Sequence, residues 1–267
     1  MKDAGNTLFI FAIESDAMES VYVRIREKAR QIASRFPQQA FYHDFSLENK
    51  SALHIFETDT VINQLRTFVS DHLDDDFGHG IKHSVKVALD AGALAFIESQ
   101  SYGYSQKKTK RLVVIAQSAG LLHDIKRKEK NHAAKGAIYS KEIIKSHPFT
   151  DSEKNAIAVA IHNHQAFKKT IAANGANSQL ISDCLYDADK FRWGPDNFTD
   201  TVWDMVAFFQ TPLAEFVSLY PKAMQSLTRI KKTFRTHTGK IYGPRFIDTG
   251  LAIGRELFKD VQKELSV

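Results

Sequence analysis

The sequence predicts an all-α protein, and three observations carry that prediction. Apolar residues recur at helical spacing through one segment after another, no segment alternates apolar and polar residues as a half-buried strand would, and several segments open or close on helix-boundary signals. In order along the chain, Asp16 to Phe36 places Met18, Val21, Ile25 and Ile32 on its apolar side and is stopped by Pro37. Phe41 to Leu47 fits a loop, a strand or a short helix equally. Thr58 to Leu73 is helical, with Val61, Leu65, Phe68 and Val69 on the buried side. Asp74-Asp-Asp-Phe-Gly-His-Gly leads into a long helix from about Ile81 to Ser99, and three aspartates ahead of a helix suit its positive end.

A polar loop, Ser101 to Lys110, precedes the apolar run Leu112 to Leu122, whose Ala116, Ala119 and Gly120 permit close helix packing up to His123-Asp124. Helices follow over about Asn131 to Ser146 and from a capping box, Thr150 to Glu153, on to about His164. Ser178 to Arg192 is next, closed by Gly194-Pro195. Val202 to Phe209, Leu213 to Thr236 and Phe246 to Leu265 form a tail in which Trp203, Phe208, Phe209, Phe216, Tyr220 and Phe234 read as core or interface. The division expected is an N-terminal helical extension (1–73), a core (74–205) and a C-terminal helical extension packed on it (206–267).

At 267 residues the chain is long enough for a sizeable core. Thirty-six basic against 31 acidic residues leave a net charge of +5, which suits anionic small substrates and is too diffuse to imply nucleic acid. The densest basic runs, Lys107 to Arg111 and Lys126 to Lys130, ordinarily read as solvated charge. Cys184 is the lone cysteine, so an internal disulfide and a cysteine-based zinc site are ruled out and a reducing cytoplasm fits. The stretch Leu8 to Ile13 is too short for a signal-peptide core, and no run approaches the roughly 18 apolar residues of a membrane span, so a soluble protein with no membrane partner is expected.

Helical phase separates candidate ligands from bystanders. His83 shares a stripe with Val87, Ala91 and Leu94, with His79 one turn earlier; His164 continues the stripe of Ile157, Ala160 and Ile161, whereas His162 is rotated away. Asp189 follows Leu185 and Ile181 in an apolar stripe, while Asp187 aligns with Asp183 on the polar side and is expected to be outer-shell or exposed. An imidazole and a carboxylate brought together at the inner end of an apolar helix, as at His123-Asp124, cost stability unless something pairs them. A metal ion pairs all of them at once. Imidazole and carboxylate donors suit a divalent transition metal (Mn, Fe, Zn, Ni or Co) better than Mg, and the absence of thiolates argues for a site with open positions.

These residues resemble the HD superfamily of metal-dependent phosphohydrolases, whose pattern is a histidine, a His-Asp dipeptide and a distant aspartate. Here His83 in His-Ser-Val-Lys-Val, His123-Asp124 in Leu-Leu-His-Asp-Ile, and Asp189 in Asp-Ala-Asp-Lys-Phe match in order, over roughly residues 74–205. The resemblance implies an HD-domain helical bundle carrying additional N- and C-terminal helices. It also implies a bound divalent metal and hydrolysis of a phosphate ester or anhydride, often in a nucleotide or related phosphorylated metabolite. Two-metal members add histidines; His164 in Ala-Ile-His-Asn-His is similar to one such position. His132 comes earlier than the pattern places it, which leaves one or two ions open and His132 as a ligand, an outer-shell group or a substrate contact.

On this reading His83, His123, Asp124 and Asp189 hold an ion that activates water for attack on phosphorus, and Asp124 also orients that water or bridges to a second ion. Lys126, Arg127 and Lys190, close in sequence to ligand motifs, are the expected contacts for substrate phosphate. Two alternatives use the same residues. One is a diiron oxygenase on this scaffold, like myo-inositol oxygenase, with His132 and His164 as the extra pair. The other is a non-catalytic metal-binding signalling module whose aromatic tail binds a partner. A homo-oligomer is left open.

Overall fold

The computed structural model describes residues 21–73 and 80–264, and every regular element among them is helical. The start of the first expected helix at Asp16, with Met18, lies outside the described residues, as do Leu8 to Ile13, Asp74 to Phe77 and His79. The first described helix, α1, covers 21–33. It is followed by α2 (Ala40–Asp44), α3 (Ser46–Thr58), α4 (Thr60–His72), α5 (Ile81–Ser101), α6 (Gln106–Leu122), α7 (His132–Ile143), α8 (Asp151–Asn163) and α9 (Ala176–Phe191). A π-helical turn, Asn197–Thr201, runs into α10 (Val202–Phe209), and α11 (Leu213–Ile230) and α12 (His237–Glu264) complete the chain. None of these helices is long and apolar enough to cross a membrane.

The centre is the pair α5 and α6, buried on nearly all sides because their small residues let neighbours close in. Gly120 sets the distance: a Cβ there would stand 2.5 Å from the Cα of Ala88, so the two backbones meet at a spacing no larger residue permits. α3 and α4 cover one side of this pair, α8 and α9 another, α7 packs on α8, and α12 crosses α9 and α5. Most of the aromatic tail is core, since Trp203, Phe216, Tyr220 and Phe234 are buried, whereas Phe208 and Phe209 are exposed.

Two boundaries differ from the sequence expectation, for one reason. α11 stops at Ile230 and α12 starts at His237. The residues between them leave the helical path so that the amides of Arg235 and Thr236 reach the Asp187 carboxylate, at 2.8 Å each. α12 then runs through Pro244, where packing of Thr238, Phe246 and Ile247 outweighs the one backbone bond that proline removes.

Candidate metal centre

Five helix ends meet at one end of the bundle, and each brings a candidate ligand. His83 lies in the first turn of α5 and His132 opens α7; His123 and His164 are the residues at which α6 and α8 end, and Asp189 is in the last turn of α9. The chain regains the cluster after the dipeptide through a tight turn, in which the Arg127 amide donates to the Asp124 carbonyl at 2.8 Å. Asn131, in the left-handed region at φ 61°, then redirects the backbone so that α7 starts with His132 facing Asp124.

The donors form two groups that share Asp124: His83, His123 and Asp124 in one, Asp124, His132 and His164 in the other. Within each group the two imidazole Nε2 atoms stand 3.3 Å apart. Two nitrogens held by one ion at roughly 2.05 Å, with an angle of roughly 90–110°, would be about 2.9–3.4 Å apart, so the spacing fits a shared ion. The tautomers fit too. His123 Nδ1 donates to the Gly120 carbonyl at 2.7 Å and His164 Nδ1 to that of Ile161 at 2.6 Å, which leaves both Nε2 lone pairs facing inward.

Asp124 divides its oxygens between the groups. Oδ2 lies 3.4 Å from His123 Nε2 and 3.9 Å from His83 Nε2; Oδ1 lies 3.5 Å from both His132 and His164 Nε2. That Oδ1 is buried and has no hydrogen-bond partner among the described residues, an arrangement that a cation would complete. Burial alone would raise the Asp124 carboxyl, but the His123 and His164 imidazoles and the Arg127 guanidinium outweigh it and hold it well below the usual carboxylate range. Burial pushes His132 down to about 4, so it is a neutral donor. These buried groups, His83, His123, Asp124, His132 and His164, could hold a metal ion.

Asp189 joins the first group, with Oδ1 3.4 Å from His83 Nε2 and 3.9 Å from His123 Nε2, while its other oxygen is bound by the Lys190 ammonium. Lys190 is itself buried between the rings of Tyr186 and Trp193. Of the cations singled out from the sequence, Arg127 reaches the cluster, 3.1 Å from His132 Nε2. Lys126 is not brought to it; its ammonium pairs with Glu129 and lies over Tyr139. His162 stays outside both groups, with its Nδ1 beside Asn163 Oδ1.

The expectation that Asp187 lies on a polar side, outer-shell or exposed, needs correcting on its environment. It is fully buried, accepts hydrogen bonds from the amides of Arg235 and Thr236 and from the Thr236 hydroxyl, and is pushed up to about 7 by that burial against its donors. The polar side of α9 is covered by the returning chain. Gly239 allows this, since a Cβ there would lie 2.0 Å from Asp187 Oδ2.

Two neighbours had no readable signal. Gln165 Nε2 lies 3.4 Å from His132 Nε2, and Arg235 stacks 3.6 Å over Tyr186 while donating to the Asn163 carbonyl, one residue before His164. Compared with protein-family models, curated proteins and solved structures, the chain matches none.

Proposed function

We propose that the protein is a metal-dependent phosphohydrolase acting on a small phosphorylated molecule, with two divalent transition-metal ions sharing Asp124. The observation that carries this reading is the split of one buried, ionised carboxylate between two histidine pairs. His83, His123, Asp124 and Asp189 would hold one ion, and Asp124, His132 and His164 the other. When bound, such ions supply a nucleophilic water at neutral pH and neutralise charge on a phosphoryl group.

The chain's own residues do the rest. The Gly120 and Ile161 carbonyls fix the tautomers of His123 and His164, so their donor atoms are set before any ligand arrives. Lys190 binds one Asp189 oxygen and orients the other toward His83. Arg127, beside the second group and only partly buried, is placed to pair with phosphate oxygens. The second histidine pair also fits a diiron centre with oxygen chemistry; the cations at the site favour the phosphate reading.

Metal analysis with assays on nucleoside phosphates and p-nitrophenyl phosphate tests it. Expected are about two ions per chain, hydrolysis abolished by chelation and restored by a divalent transition metal, and loss of both metal and hydrolysis in Asp124→Ala with an unchanged helical circular dichroism spectrum. Unaltered turnover in that variant overturns the assignment. Two irons with O2 uptake and no phosphate release would place the chemistry with the oxygenases.

A further inference from the structure

The basic run Lys107 to Arg111 has no part in the metal centre, and the fold puts it somewhere specific. A cavity of about 670 Å³ opens where α6, α8 and α9 begin, lined by Lys107 and Lys108 of α6, Glu153 of α8 and Gly175 to Ser178 of α9. The same three helices end in His123, His164 and the turn of Asp189. They therefore run parallel from the cavity to the metal centre, roughly 20–25 Å for helices of this length.

Parallel helices side by side concentrate positive potential at their starts. At this end α8 carries Asp151 and Glu153 in its first turn, whereas α6 and α9 carry no acid in theirs. α6 carries lysines rather than acids in its first turn, and Lys107 makes no ion pair among the described residues. α9 has no side-chain cap, unlike α6 and α8, and the amides of Ala176, Asn177 and Ser178 donate to nothing among the described residues. The one carboxylate on the lining, Glu153, is taken by Arg111 in a two-pronged pair at 2.6 and 2.7 Å.

A second observation points to a ligand. Ser178 lines the cavity at 5 % exposure, and its buried hydroxyl has no hydrogen-bond partner among the described residues. An oxygen-rich anion would satisfy the hydroxyl, the three amides and the lysines together. Lys108, whose ammonium lies 3.2 Å from the centre of the Tyr104 ring, keeps hydrogens free to share. We propose that this cavity binds a phosphate-bearing small molecule, held by the start of α9, Ser178, Lys107 and Lys108, at a site separate from the metal centre. The site is independent of what the metal centre catalyses.

The test follows the backbone amide resonances of the full-length, metal-loaded chain during titration with inorganic phosphate, with sodium chloride at matched ionic strength as the control. The expected result is saturable movement of Ala176, Asn177 and Ser178, absent with chloride and persisting in Asp124→Ala. In the exposed double variant Lys107→Ala/Lys108→Ala the midpoint should rise at least about tenfold, the loss of one charge-assisted bond, with hydrolysis unchanged. Resonances that stay still, that move equally with chloride, that stop responding in Asp124→Ala, or that respond alike in the lysine variant each overturn the proposal.

Discussion

The two histidine groups share Asp124 and the same 3.3 Å nitrogen spacing, yet they differ in what closes them. The group of His83 and His123 has a second carboxylate, Asp189, itself held by a buried lysine. Among the described residues the group of His132 and His164 has none; Arg127 and Gln165 stand at His132 instead. The first environment is the more anionic, the second neutral to cationic, and His83 of the first lines a cavity of about 580 Å³. On the proposed function, a cation should bind more tightly in the first, and Arg127 makes the second the better side for an anionic substrate.

Substitutions can break that contrast. Asp124→Ala takes a ligand from both groups and should leave no measurable turnover and little metal, read by elemental analysis. Asp189→Ala should also purify with little metal and no measurable turnover, because the first group loses its second carboxylate and Lys190 is left buried without its partner. His132→Ala should lose about one ion per chain while the other remains; loss of both would show that the groups do not differ as described. Arg127→Ala should keep its metal and lose about 10–100-fold in activity, mostly in KM for a phosphorylated substrate. The smallest functional effect belongs to Asp187→Ala. Two buried donors and one part-buried donor lose their acceptor, so stability should fall by about 1–3 kcal/mol, read as a lower Tm, with metal retained and at least some activity. If Asp187→Ala loses the metal and Asp189→Ala keeps it, the roles of the two carboxylates are reversed.

Much of the centre was legible because it is written in helical phase. His83, His123, His164 and Asp189 each sit in apolar stripes on their own helices, and those stripes face one another. His132 was harder: it follows a turn whose geometry depends on a left-handed Asn131. Asp187 was misplaced because phase reports which residues share a side, not what covers that side; its partners come from 48 and 49 residues further along. For the same reason Arg235 was invisible, and Phe41 to Leu47, too short to show a period, resolved into α2 and the start of α3 only in the fold.

The segment that enters α12 also bears on how the molecule is made. Thr238 gives its amide to Glu98 on α5, 140 residues earlier, just as Thr236 and Arg235 give theirs to Asp187 on α9. A polypeptide leaving the ribosome from its N-terminus produces both acids long before their donors exist, and neither can be buried at low cost until those donors emerge. Closure of the bundle should therefore follow synthesis of residues 235 to 238. A nascent chain halted before residue 235 holds every candidate ligand but should stay loosely assembled, so that completion of the His/Asp cluster should be one of the last steps of folding.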